Sequence, residues 1–166
     1  MSEWANAKSE AKKELKEMEK SVPGYGYAEP KQAEATDGSF RKAMADELNR
    51  SRDFLFPMIE AAYIGKDMEN AGALEQVMQW LNAFLLELSL PLLWNEKADS
   101  RAFSKLIRHD AALLGSAAKL TGTLKDMCDI VLHGKSVAVA KRCAQLNAFI
   151  IDMLSVYKRR RHALGE

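Results

Sequence analysis

Residues 103–131 read FSKLIRHDAALLGSAAKLTGTLKDMCDIV, and the fold class follows from this stretch. Apolar residues recur in it at alternating spacings of three and four positions, which is the period of an α-helix rather than that of a strand. The stripe consists of Phe103, Leu106, Asp110, Leu113, Ala117, Leu120, Leu124, Met127 and Val131. Asp110 is its one polar member. The pattern predicts a long helix with a single buried face that ends at Gly134.

The same helical period recurs on both sides of this stretch. Residues 39–64 carry an inner apolar stripe that stops at Gly65, residues 70–91 carry a second one, and residues 136–162 carry a third. Short breaks join the four segments, and short connections make each helix antiparallel to its neighbour. The sequence therefore predicts an all-α fold, namely a four-helix up-down bundle over residues 39–166.

The segment before the bundle is predicted as an additional N-terminal helix on a linker. Residues 1–20 are highly charged, with Trp4, Leu15 and Met18 on one narrow apolar face, so this amphipathic helix needs a surface to pack against. Residues 21–38 contain two prolines and three glycines without apolar periodicity, which is typical of a linker. A helix on such a linker can fold back on its own bundle or reach another chain.

The composition excludes several classes of protein. The 166 residues form one domain with a formal net charge of +1, so attraction to nucleic acid must come from a local patch of charge. Two cysteines are too few for a disulfide framework, and the first residues lack the layout of a signal peptide, so we expect a reduced, cytoplasmic protein. The most apolar stretch, residues 77–94, contains Gln79, Asn82 and Glu87, which favours a bundle helix over a membrane span.

The sequence contains no catalytic or cofactor motif, and we expect no enzymatic activity, no cofactor and no metal. A di-iron bundle needs Glu three residues before His, and none of the three histidines has it. Cys128 and Cys143 fall on the core stripes and are expected to be buried free thiols. Asp110 is either a perturbed functional carboxylate or a structural residue, which pairs with a nearby arginine or turns outward near the helix end, and we favour the structural role.

Basic residues are concentrated where the predicted topology brings three helix ends together. Alternating helix directions place the start of the first bundle helix, the start of the third and the end of the fourth at one pole. A basic pole can hold phosphates or an acidic partner, although cations at a helix C-terminus also complement the helix dipole. The candidate contacts are Arg41, Lys42, Arg101, Lys105, Arg108, Lys158, Arg159, Arg160 and Arg161.

Surplus apolar side chains predict contacts with other proteins. The second bundle helix carries more of them than the stripe of about 100° that a peripheral helix needs, Leu86 and Leu92 included. Two tyrosines in the linker can fill a partner's pockets or pin the linker to the bundle. The candidate interface comprises Trp4, Leu15, Met18, Tyr25, Tyr27, Met78, Trp80 and Leu85. We expect a homo-oligomer whose interface includes the second bundle helix or the N-terminal helix.

Two functions fit these patterns. The first is a non-enzymatic helical assembly or adaptor protein that associates with itself and with another protein partner. The second is a small helical nucleic-acid-binding subunit of a nucleoprotein complex, which would use the basic pole to hold phosphates. No membrane association is expected in either case.

Overall fold

The structure is a computed structural model, and it describes residues 3–26, 32–92, 100–134 and 138–163, apart from the side chains of Glu3, Trp4, Asn6, Ala7 and Ser100. No strand occurs within these ranges, and the all-α prediction is confirmed. The helices in chain order are α1 (Glu3–Glu10), α2 (Lys12–Ser21), α3 (Ala33–Ile64), α4 (Met68–Leu88), α5 (Ser100–Leu132) and α6 (Val139–Arg161).

The chain divides into two compact units, and four of the helices have residues in both. Unit 1 comprises Met1–Met44, Leu88–Gly115 and Ser155–Glu166. Unit 2 comprises Ala45–Glu87 and Ser116–Leu154. Helices α3, α5 and α6 therefore contribute to both units, whereas α1 and α2 belong to unit 1 and nearly all of α4 belongs to unit 2.

Helix α3 begins at Ala33, six residues before the predicted start at Ser39, so part of the predicted linker is helical. The apolar pattern missed these early turns because their buried positions are small or polar. Ala33, Thr36 and Asp37 are each 0–2% exposed. The Thr36 hydroxyl donates to the backbone carbonyl of Gly26 at 3.0 Å, which fixes the start of α3 against the chain that precedes it.

The N-terminal segment forms two helices rather than the single predicted one. They are separated at Ala11, whose φ of −117° and ψ of 31° depart from helical values. Ala11, Leu15 and Met18 are buried, so the narrow apolar face of this segment is covered. Arg108 Nη2 on α5 donates to the Glu10 backbone carbonyl at 2.8 Å. Within unit 1, the N-terminal segment thus folds back on the protein's own helices.

The other helix ends lie within a few residues of their predicted positions, and local capping explains them. Helix α4 starts two residues earlier than predicted, and Asp67 caps it by accepting the Asn70 backbone N–H on Oδ1 at 3.1 Å. Gly134 follows the end of α5 with a φ of +68°, which is the left-handed conformation that stops a helix. The predicted cap of α6, Ser136, lies outside the described residues.

Unit 2 has an apolar core with one polar pair inside it. The Ser51 and Thr121 hydroxyls lie 2.9 Å apart and link α3 to α5. Thr121 Oγ1 also lies 3.1 Å from the Ala117 backbone carbonyl oxygen, so both hydroxyls are satisfied away from water. The fully buried apolar side chains of this core include Leu48, Leu55, Met58, Leu74, Leu81, Phe84, Leu124 and Ile150.

Candidate functional site

The most unusual feature of unit 1 is a buried arginine. Arg160 on α6 is 0% exposed, and its guanidinium reaches carboxylates on two other helices. Its Nε donates to Asp110 Oδ1 at 2.5 Å, and its Nη1 donates to Asp37 Oδ1 at 2.5 Å. The Phe40 ring centroid lies 4.2 Å from the guanidinium carbon, which adds a cation–π attraction. The group that we call the ion cluster consists of Tyr25, Asp37, Arg41, Asp110 and Arg160.

Asp110 is fully buried and has two kinds of hydrogen-bond donor. Besides the Nε bond, Arg160 Nη2 lies 3.4 Å from Oδ2, and the Tyr25 hydroxyl donates to the same oxygen at 2.8 Å. Burial raises the pKa of the Asp110 carboxyl, and the charge and hydrogen bonds of Arg160 and the Tyr25 hydroxyl oppose that rise. Asp110 thus pairs with an arginine, which is one of the two structural alternatives expected for it.

Asp37 completes the ion cluster from α3. Its Oδ2 accepts Arg41 Nε, one turn further along the helix, at 2.8 Å, and the Leu92 backbone N–H at 3.1 Å. Two arginines thus face two aspartates, and the formal charges of the cluster cancel. Such compensation is what buried charges require, because an unpaired ion in the interior is strongly destabilising.

One arginine of the cluster and two neighbouring side chains hold the segment that follows α4. Each side chain donates to a backbone carbonyl at the C-terminal end of α4 or just beyond it, where carbonyls lack a partner within the helix. The bonds run from Arg41 Nη1 to Leu88 O at 3.2 Å, from Tyr157 OH to Leu90 O at 3.3 Å, and from Arg161 Nε to Pro91 O at 3.2 Å. This arrangement positions the backbone of the segment that follows α4.

The nine predicted basic contacts all lie in unit 1, but they differ in exposure. The exposed ones form what we call the basic surface: Lys42, Arg101, Lys105, Arg108, Lys158 and Arg159. The three that lie on α5 share one helix face, at spacings of four and three residues. Burial lowers the pKa of the His109 imidazole, and the charges of Lys105, Arg159 and Arg160 lower it further. Cations of α5 and α6 are therefore neighbours around His109.

Three of the nine cations are corrected by the structure. Arg160 is buried and paired, so it is not a surface contact. Arg41 and Arg161 are half-buried and bonded to backbone carbonyls, whereas Arg108 also bonds to a backbone carbonyl but stays exposed. The reason is geometric: four consecutive cations wind around the end of α6, so one of them points into the interior, where Asp37 and Asp110 neutralise it.

Four of the eight predicted protein-interface residues also lie inside the protein. Burial removes Leu15, Met18, Tyr25 and Met78 from the surface, while Trp80 and Leu85 are half-buried. Neighbouring parts of the same chain thus cover more of these helices than a single stripe predicts. The Trp4 side chain and Tyr27 lie outside the described residues.

Exposed apolar residues gather instead on α3 and α4 in unit 2. On α3, exposed Asp53, Phe56, Glu60 and Tyr63 follow one another at spacings of three and four residues. On α4, Met68 and Leu86 are 18 residues apart, which is about five whole turns, so they share one side of the helix. The Tyr63 hydroxyl donates to Glu75 Oε1 at 2.5 Å and joins the two stripes. The α3–α4 face, as we name it, comprises Asp53, Phe56, Glu60, Tyr63, Ile64, Met68, Glu75 and Leu86.

The apolar members of the α3–α4 face are well exposed. Their exposed fractions are 53% for Phe56, 45% for Tyr63, 77% for Ile64, 62% for Met68 and 71% for Leu86. Arg52 lies beside this face, with its guanidinium carbon 5.9 Å from the centroid of the Phe56 ring. Large exposed apolar side chains among polar residues are typical of a protein interaction site.

The two cysteines are buried free thiols, as predicted. Burial raises the pKa of the Cys143 thiol to about 11. Burial, followed by the negative charge of Asp129, also raises the pKa of the Cys128 thiol. Both thiols are therefore held in the protonated form, which does not react with alkylating reagents.

Native cysteine labelling is expected to be slow. At pH 8 a thiol of pKa about 11 holds about 100-fold less thiolate than a thiol of pKa 9, and burial restricts access as well. Raising the pH by one unit should increase the native rate about tenfold, because only the thiolate reacts. Alkylation followed by mass spectrometry measures both rates, with the urea-unfolded chain as the fast control. Rapid labelling of either cysteine in the folded protein would contradict this prediction.

The sequence contains spacings that indicate the ion cluster and the α3–α4 face, although the search for apolar stripes alone does not find them. Met153, Tyr157 and Arg160 lie at spacings of four and three on the inner stripe of α6, which places the arginine on the buried face. Phe56 and Tyr63 lie seven residues apart and off the inner stripe of α3. The burial of Arg160 and the second apolar stripe of α3 could therefore both be predicted from the helical period.

Comparison with protein-family models, with curated proteins and with solved structures finds no match for the chain. Over the residues that the structure describes, no three His, Cys, Asp or Glu side chains are grouped as metal ligands would be. None of the described helices is long and apolar enough to cross a membrane. Function is therefore inferred from the two surfaces and the ion cluster.

Proposed function

We propose that the protein is a non-enzymatic helical assembly or adaptor protein, which acts through protein–protein contacts and associates with itself. The α3–α4 face is the observation that supports this proposal. An apolar side chain left in water forgoes about 1.5–3 kcal/mol relative to full burial, and this face exposes several of them on adjacent helices. It includes α4, the helix on which self-association was predicted from the sequence.

The proposal keeps the four-helix up-down arrangement for α3 to α6, with short connections between antiparallel neighbours. It also places the protein in the cytoplasm, where Cys128 and Cys143 stay reduced. An enzymatic role is not proposed, since the titratable groups of the ion cluster are buried and committed to one another.

Self-association is tested by making the α3–α4 face polar. In the variant Met68→Gln/Leu86→Gln, association should weaken by about tenfold or more, because two side chains lose apolar burial in the interface. Sedimentation equilibrium over a range of concentrations measures the effect. The matched control is Leu132→Gln/Ile151→Gln, which changes two exposed apolar residues on α5 and α6. A monomeric parent protein, or a variant that associates as the parent does, would overturn the proposal.

A second candidate function is nucleic-acid binding through the basic surface. Six exposed cations lie in one unit, and those of α5 and α6 are neighbours around His109. Binding of this kind weakens steeply with salt, because each neutralised phosphate releases a counterion. A gel-shift assay with single- and double-stranded RNA and DNA at low salt tests it. The variant Arg101→Glu/Lys105→Glu should abolish the shift, and no shift with the parent protein would exclude this function.

A further inference from the structure

We propose that the protein assembles head to tail, with the α3–α4 face of one copy docked on the basic surface of the next copy. This inference rests on the proposed function and adds to it the partner of the α3–α4 face and the symmetry of the contact. Three observations carry it: the charge of each unit, the composition of the α3–α4 face, and a shared helical spacing.

The two units carry opposite charge. Unit 1 contains 16 Lys and Arg against 12 Asp and Glu, whereas unit 2 contains 8 against 11. The imbalance of unit 2 comes from residues 45–87, which hold eight acidic and three basic residues. This is the part of α3 and α4 that includes the α3–α4 face. Opposite potentials on two surfaces attract them to each other and suppress contacts between like surfaces.

The α3–α4 face alternates acidic and apolar side chains in a way that suits a cationic partner. Asp53 and Glu60 lie next to the exposed rings of Phe56 and Tyr63 along α3. Lysine and arginine can pair with the carboxylates through their charged heads, while their aliphatic stems cover the apolar rings. Aromatic faces also attract cations directly. A surface of long basic side chains can therefore neutralise the carboxylates of this face and also cover its apolar side chains.

The spacing of charges is the same on the two surfaces. Asp53 and Glu60 are seven residues apart on α3, and Arg101 and Arg108 are seven residues apart on α5. At a rise of about 1.5 Å per residue, both pairs span about 10.5 Å along their helices. When α3 of one copy lies along α5 of the next, both charge pairs can form at once, with Lys105 between them. Arg108 Nη2 donates to the Glu10 carbonyl, so this arginine pairs through its other N–H groups.

The contact is heterologous, which means that each copy uses one surface to bind and the other to be bound. A symmetric contact of two α3–α4 faces would bring Asp53 and Glu60 of one copy against the same acidic face of the other. A heterologous dimer leaves one surface of each kind unused, so further copies add until the assembly closes into a ring or extends as an open filament.

A mixing experiment distinguishes this geometry from a symmetric dimer. The face variant is Met68→Gln/Leu86→Gln, and the basic-surface variant is Arg101→Glu/Lys105→Glu. Each should be monomeric alone, with association weakened by about tenfold or more relative to the parent protein. Mixed in equal amounts they should form a 1:1 dimer and nothing larger, because the mixture contains one intact pair of surfaces. Sedimentation velocity measures the species, and circular dichroism checks that both variants remain folded.

The matched control for charge is Lys125→Glu/Lys141→Glu, which reverses two exposed cations of unit 2 and should assemble as the parent does. Raising the salt from 0.1 M to 1 M should dissociate the parent assembly, because the screening length falls from about 10 Å to about 3 Å. If the basic-surface variant still associates as the parent does, or if the mixture stays monomeric, head-to-tail assembly is overturned. The proposed function itself fails only if the parent is monomeric or the face variant associates normally.

Discussion

Replacing Arg160 with methionine is expected to lower the free energy of unfolding by about 3–5 kcal/mol. Arg160 is 0% exposed and is bonded to both Asp37 and Asp110, so its removal leaves two buried carboxylates without their shared cation. Methionine retains most of the apolar volume, which keeps the cavity small. Urea unfolding followed by circular dichroism gives the free energy for each variant. The matched control is Arg159→Met, because Arg159 is the exposed neighbour and surface substitutions usually change stability by about 0.5 kcal/mol or less.

The loss caused by Arg160→Met should depend on pH in a defined direction. Burial raises the pKa of the Asp110 carboxyl, and the variant lacks the arginine that opposes this rise. A carboxyl with a higher pKa in the folded than in the unfolded chain contributes stability below its unfolded pKa. That contribution is lost as the pH rises through the folded pKa. The destabilisation should therefore be smaller in mildly acidic buffer than at neutral pH. A loss of less than about 1 kcal/mol at neutral pH would contradict the central role of Arg160.

Truncating Phe40 to alanine is expected to cost about 3–5 kcal/mol of stability. Phe40 is 0% exposed, so its removal opens a cavity, and its ring also lies 4.2 Å from the guanidinium carbon of Arg160. Phe40→Leu separates the two effects, since it retains much of the volume and removes the cation–π attraction. Chemical denaturation of both variants measures the two losses.

A double-mutant cycle tests whether Phe40 and Arg160 act together. Residues in contact show coupling energies of about 0.5–3 kcal/mol, so Phe40→Leu should cost less when Arg160 is already methionine. The same cycle with Arg159→Met should be additive, because Arg159 is exposed. Additivity in both cycles would show that the ring stabilises the fold through packing alone.

Much of the fold is visible in the sequence because the buried positions of most helices are apolar. Helix α5 is the clearest case, since Asp110 is the one polar residue on its inner stripe. The first turns of α3 were not visible, because Thr36 and Asp37 occupy buried positions there. A pattern of apolar residues identifies helices whose buried face is apolar. It misses helical turns whose buried positions are polar or belong to an ion pair.

The candidate surfaces were predicted less well than the fold for a related reason. Arg160 belongs to a run of four cations, which predicts that it is exposed to solvent at the end of α6. Only its spacing of three residues from Tyr157 indicates that it is buried. Of the apolar surplus predicted for α4, Leu86 is exposed, whereas burial of Met78 and partial burial of Trp80 depend on neighbours that one helix cannot reveal. Which side of a helix faces solvent is decided by tertiary packing, whereas helical period is a local property.

The ion cluster also has a consequence for the order of folding. Its bonds join residues far apart in the chain, with sequence separations of 85 for Tyr25 and Asp110 and 123 for Asp37 and Arg160. Contacts of such separation close late, because the entropy lost on closing a long loop must be overcome before they can form. Interactions absent from the transition state stabilise a protein by slowing its unfolding and not by accelerating its folding. The buried arginine therefore serves chiefly to prolong the lifetime of the folded chain once α6 has docked.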